Sequence, residues 1–174
     1  MTVVLVLLSL VLILENAHSQ LAETNCQYFA NALPLRLKEL RGTFNKVKEY
    51  FQTQDEELDI MLLKQDLLED FKGYLGCQSV GEMIQFYLEE VLPNVSSSNT
   101  INQDVGFLGD MLLELRQLIK RCHRYFICEK KSKTIKDIKD TYKKLQDKGI
   151  YKAMGEFDIF INYIEEYLMM KMRK

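Results

Sequence analysis

The chain has only two histidines among its 174 residues, and one of them, His18, lies just past the apolar run at the N-terminus. Imidazole chemistry in the remainder would fall to His123 alone. Arg121 and Arg124 flank it and disfavour its protonation, so it reads as a packed or capping group, not a base. There is no G-x-S-x-G elbow, no phosphate-cradling glycine loop, no H-E-x-x-H and no C-x-x-C pair. The Cys122 to Cys128 interval fits no common zinc knuckle. Carboxylate neighbours such as Glu69-Asp70, Glu89-Glu90 and Glu165-Glu166 occupy adjacent helical positions that point apart, which suits solvated surface better than acid-base work. These absences argue against an enzyme, and no metal or cofactor is expected.

Charge bias is missing as well. With 23 basic and 25 acidic residues the formal net charge is −2, which selects neither nucleic acid nor a membrane surface as a partner. No strand-length run of alternating β-branched residues and no internal repeat occurs, so the class is all-α. Beyond the N-terminus no apolar run is long enough to span a bilayer.

Residues 3–14 form an apolar run too short for a membrane span, and the chain turns polar at Glu15 and Asn16. This pattern reads as a signal peptide over residues 1–19. Small residues at Ala17 and Ser19 favour cleavage after Ser19, although no Lys or Arg precedes the apolar core. A mature chain from Gln20 to Lys174 would lose Glu15 and carry a net charge of about −1. It would be secreted, soluble and extracellular. Asn94-Val95-Ser96 is an N-glycosylation acceptor, a second mark of export. In that compartment Cys26, Cys77, Cys122 and Cys128 should be paired. Spacing leaves three connectivities open, and either long-range pattern would stabilise more than a Cys122–Cys128 link, each long-range bridge contributing roughly 4–5 kcal/mol in the chain-entropy account.

Leu33, Leu37, Leu40, Phe44, Val47 and Phe51 step by four and three along one helical stripe, with Pro34 placed near a first turn. A second helix is expected from Asp59 to Phe71, broken by Gly73 and Gly76 with Cys77 in the break. Ser79 and Glu82 have capping-box spacing ahead of Met83, Ile84, Tyr87 and Val91, and Pro93 ends that helix. A loop should follow from Asn94 to about Gln103. Leu108, Met111, Leu112, Leu115, Leu118 and Ile119 then resume helical spacing and carry Cys122 inward. The charged tract 129–133 reads as a solvated connector. Ile135, Ile138, Tyr142 and Leu145 mark a fifth helix ending near Gly149. The last helix, through Ile150, Met154, Phe157, Ile161, Ile164 and Leu168 with Tyr151, Phe160, Tyr163 and Tyr167, is apolar on more than one face. It should therefore sit at the centre of a bundle.

Three stretches carry a resemblance: LLEDFKGYLGCQ at 67–78, EMIQFYLEEV at 82–91, and KGIYKAM at 148–154 followed by EFDIFINYIE at 156–165. They resemble the interleukin-10 family over essentially the whole mature chain. The resemblance implies a six-helix cytokine bundle and an intertwined homodimer: residues 20–128 supply four helices and both disulfides, 129–134 form the hinge, and 135–174 are exchanged with the partner. It implies pairing of Cys26 with Cys122 and of Cys77 with Cys128. It also implies engagement of a ligand-binding receptor chain and a shared second chain, Janus kinase signalling, and suppression of inflammatory and immune responses. Matching positions for the high-affinity receptor face are Lys38, Arg41, Lys48, Gln52, Asp59, Lys152, Glu156, Asp158 and Glu165. A decoy or antagonist of the same fold is the alternative. Departures from the family pattern are an Asp55-Glu56-Glu57 loop one residue longer than the common mammalian form, Gly155 where serine is usual, and Lys130 in place of a sequon asparagine. Drift in the leader and in residues 95–106 is compatible with a copy captured by a large DNA virus.

Overall fold

The six-residue apolar stripe is wholly buried, but two helices share it. In the computed structural model, which describes residues 2–73, 76–96, 98–122 and 133–172, α1 spans Thr2–Asn45 and α2 spans Lys48–Gln54. Between them the amides of Lys46 and Val47 donate to the carbonyls of Thr43 and Phe44, three residues back. This short tightening breaks the α-helix yet keeps Val47 and Phe51 in line with Phe44. Pro34 lies inside α1 and not in a first turn, where its missing donor costs a backbone bond. The side chains described among residues 4–14 are exposed and take no part in the core.

The second helix, α3, is Gln65–Lys72 and begins six residues later than its apolar pattern suggested. Residues 55–64 form a loop instead, because Leu62 and Leu63 turn into the core with their amides bonded elsewhere than in a helix. Helix α4 is Gly76–Phe86, so Cys77 is in its first turn and not in a break. Gly76 allows this start: a Cβ there would lie 2.2 Å from the Phe71 carbonyl oxygen and 2.8 Å from the Tyr167 ring. The expected capping box does not form. Ser79 is buried inside α4 with its hydroxyl unpartnered, and Glu82 accepts from Gln78.

The α4 axis continues through a π turn at Tyr87–Val91 and a 3-10 turn at Leu92–Asn94 containing Pro93. Widening the spiral frees the Glu90 carbonyl, which accepts from Asn94 Nδ2 at 2.7 Å and from Tyr142 Oη at 2.9 Å. Helix α5, Asn99–Arg121, starts earlier than expected. Ser98 serves as its extended N-cap residue and accepts the Asn102 amide, so the helix is under way from Asn99 instead of from about Gln103. Its apolar stripe delivers Cys122 to Cys26, 96 residues away, in a disulfide that stabilises by about 4–5 kcal/mol in the chain-entropy account. Cys77 is also disulfide-bonded. Cys128, His123 and hinge residues 129–132 lie outside the described residues.

Helix α6 is Lys133–Lys144, so residues 133–134 of the expected hinge are already helical. It stops before Gly149, and Gln146, at φ 52°, turns the chain. The expected single last helix is two: α7, Lys148–Gly155, and α8, Phe157–Met172. Counting α1 with α2 and α7 with α8, the eight described segments make six helical units. As expected, α8 is central. It packs against α1 and α3 and buries Phe157, Phe160, Ile161, Tyr163, Ile164, Tyr167 and Leu168. Tyr87 stacks on Phe160 with centroids 5.0 Å apart, Phe157 meets both Phe44 and Tyr87, and the Tyr87 hydroxyl donates to the Ala153 carbonyl at 2.8 Å. Burial pushes that phenol well above its ordinary pKa.

Candidate receptor-binding face

A polar seam closes the side of the bundle where α1 and α2 meet α7 and α8. Arg41 donates to Asn162 Oδ1 at 2.8 Å and to Glu165 Oε2 at 2.9 Å. One step along, Lys48 Nζ is 2.7 Å from Asp158. Gln52 then donates to the Gly155 carbonyl at 3.0 Å. Lys152 Nζ lies 2.7 Å from Asp55, and Lys148 bonds Glu57 at 2.9 Å. As the first partner climbs from 41 to 57, the second descends from 165 to 148. From Arg41 to Gln52 that register belongs to antiparallel helices rising at the same rate per residue, and the loop after α2 carries it on through Asp55 and Glu57.

The seam changes character along its length. At the Arg41 end both partners are open to water, with side chains 34% and 54% exposed. At the other end Lys152 and Asp55 retain 5% and 12%. Glu156 Oε1 is 3.8 Å from Lys152 Nζ, and its carboxylate takes the Leu62 amide at 3.0 Å and the Leu63 amide at 2.7 Å. The Tyr163 hydroxyl adds contacts to the carbonyls of Leu63 and Lys64 at 3.4 and 3.3 Å. Burial raises the Glu156 carboxyl above its ordinary value. The Leu63 and Leu62 amides and the Lys152 ammonium oppose that shift, and Asp55 adds to it.

Seven of the nine positions that the family resemblance implies for receptor contact therefore meet on one seam: Arg41, Lys48, Gln52, Lys152, Glu156, Asp158 and Glu165. Lys38, one turn before Arg41, and Asp59, in the 55–64 loop, are exposed beside it without a described ion pair. Lys152 and Glu156 are spent inside the protein, holding the loop to α7 and α8. Residues missed in the sequence are Asp55 and Asn162, the seam partners of Lys152 and Arg41, and the pair Glu57 with Lys148. Each lies about a hundred positions from its partner, and no local pattern signals such a pairing. Loop 55–64 also leaves Leu58 and Met61 exposed at 86% and 52%. Among the described residues no cluster is arranged to hold a metal ion, and no helix is long and apolar enough to cross a membrane.

The sequence and the fold have clear relatives. The family model described as Interleukin 10 matches residues 1–170. Interleukin-10 of Felis catus is 58% identical over 156 residues, covering 89% of this chain and 87% of the relative. Interleukin-10 of Gallus gallus is 57% identical over 153 residues, covering 87% of each. That of Sus scrofa is 54% identical over 154 residues, covering 88% and 87%. In three dimensions the crystal structure of human interleukin-19 superposes with a TM-score of 0.64 at 17% identity, over 75% of this chain and 88% of that one, a likeness of fold. The relatives carry the name of a cytokine and not of an enzyme. With whole-length sequence similarity joined to an all-helical bundle, the chain belongs to the interleukin-10 family of helical cytokines.

Proposed function

We propose that this protein is exported, losing residues 1–19, and acts outside the cell as a homodimeric cytokine. It engages the ligand-binding chain of the interleukin-10 receptor through the seam, recruits the shared second chain, and triggers Janus kinase signalling that suppresses inflammatory and immune responses. The observation that carries this reading is the convergence of seven family-matched polar residues on one antiparallel seam in a chain 57% identical to an interleukin-10.

In the described chain α6–α8 pack on their own α1–α4. Exchange of identical elements between two copies preserves every such contact, so the same seam forms across the dimer, with α1, α2 and the loop from one protomer and α7 and α8 from the other. The charged connector 129–133 supports this arrangement, since it has nothing to bury. Four helical units (20–128), the hinge (129–134) and the exchanged portion (135–174) then form one cytokine domain. The bridge expected between Cys77 and Cys128 completes the disulfide set within each protomer. Asn94, exposed at the end of the 3-10 turn, is the proposed glycan site. Its Nδ2 keeps one hydrogen after glycan attachment, enough to retain the bond to Glu90.

The test is receptor phosphorylation in responsive cells with and without the ligand-binding chain, alongside the molecular mass in solution. Phosphorylation that requires that chain, from a dimer-sized species, is expected. Binding without phosphorylation identifies a decoy or antagonist, and a monomer indifferent to the receptor overturns the reading. Mobility before and after glycosidase treatment, on protein secreted by eukaryotic cells, tests Asn94.

A further inference from the structure

Glu156 matches a family receptor position, yet its side chain is only 10% exposed and both of its oxygens are occupied by backbone donors of another segment. Loop residues 55–64 have no helix or strand of their own. Besides the buried side chains of Leu62 and Leu63, polar attachments secure them: Asp55 to Lys152, Glu56 and Glu57 to Lys148, the Leu62 and Leu63 amides to Glu156, and the Leu63 and Lys64 carbonyls to Tyr163. Of these, only the Glu156 carboxylate satisfies buried amides that would otherwise lack acceptors, the costliest groups to leave unpaired. Between the Glu57 and Leu62 attachments the loop bows outward. It displays Leu58 and Met61, two large apolar side chains, beside the exposed carboxylate of Asp59.

We propose that Glu156 is a positioning residue and not a contact: it clamps Leu62 and Leu63 so that Leu58 and Met61 are presented as the apolar centre of the docking surface for the receptor ectodomain. The partner surface this fits is apolar at its middle with a basic group facing Asp59. Tight interfaces draw most of their affinity from such a desolvated centre, while rim charges mainly steer approach. The seam supplies those charges on one side of the loop. A pre-ordered loop also spares the entropy of fixing it on binding. The proposal rests on the receptor reading above, but its first half is a statement about the free protein and stands or falls separately.

The experiment pairs amide hydrogen exchange on the free dimer with affinity for the purified ligand-binding receptor ectodomain. Glu156→Met removes both acceptors. Exchange at Leu62 and Leu63 should accelerate roughly tenfold or more, as for loss of a bond to a charged acceptor, and affinity should fall by about the same factor. Glu156→Gln keeps one oxygen able to serve both amides and discards the charge, so it should restore slow exchange and most of the affinity. A charged contact would instead be lost in both variants. Leu58→Ala with Met61→Ala should weaken binding in the wild type and add little in the Glu156→Met background, because residues acting through one element are not additive. The proposal is overturned by unchanged exchange at Leu62 and Leu63 in Glu156→Met, or by a Gln variant as weak as Met. Full affinity in the Leu58/Met61 variant overturns it too, and that measurement stands even if Glu156→Met fails to fold. If the wild type ignores the ectodomain while the exchange results hold, the clamp survives and the receptor reading fails.

Discussion

The two ends of the seam are built from the same kinds of residue and do different work. Arg41 with Glu165 is an open pair on a helix surface; Lys152 with Asp55 and Glu156 is a closed cluster under a loop. Water screens the first, so it contributes little to stability and remains available to a partner. Exclusion of water makes the second intolerant of losing its cation, because removal of Lys152 leaves two buried carboxylates without a counter-charge. Chemical type sets what a side chain is able to do, and burial decides which of those things it does.

The contrast breaks most sharply at Lys152. Its replacement by Ala leaves Asp55 and Glu156 facing each other without a cation and should cost about 3–5 kcal/mol, read as a drop in the urea midpoint at constant slope. Arg41→Ala, the matched change at the open end, should cost less than about 1 kcal/mol, and a double-mutant cycle with Glu165→Ala should return a coupling of the same small size. Equal costs at the two ends would remove the distinction.

Acidity sharpens it further. Because burial raises the Glu156 carboxyl above its ordinary 4.5, the folded state holds that proton more tightly than the unfolded chain does. This stabilising contribution is complete below about pH 4.5 and is lost as pH rises through the folded value. On acidification from neutral, wild type should therefore gain stability relative to Glu156→Gln. Asp55, Lys152, Tyr163 and Tyr87 face the same carboxyl and are common to both proteins, so the difference curve isolates Glu156. The smallest effect belongs to Gly155. A Cβ there would meet Asp55 at 3.6–3.7 Å and the Gln52 backbone at 3.9 Å, ordinary contacts. Gly155→Ala should accordingly raise stability by about 0.4–1 kcal/mol through the unfolded chain, measured as a small rise in Tm.

Much of this bundle was legible in the sequence. The stripe from Leu33 to Phe51 is buried at every member, and the excess apolar coverage of the last helix correctly placed α8 at the centre. Breaks were not legible, because a tight turn at Lys46 and Val47 preserves the phase of the stripe and leaves no gap in its periodicity. Ser79 and Glu82 have capping-box spacing, but Gly76 starts the helix three residues earlier by letting Tyr167 approach, a tertiary fact with no local signature. The same limit applies to the seam. Family resemblance located its residues, whereas the burial of Lys152 and Glu156 follows from a loop whose pairing partners lie about a hundred residues away.

The most direct test of the division between contact and support is a hydroxyl-radical footprint of the protein with the ligand-binding receptor ectodomain alone. The account predicts protection of Leu58 and Met61, with no change at exposed Phe107 on α5. Protection at Phe107 with Leu58 and Met61 still fully reactive would contradict it.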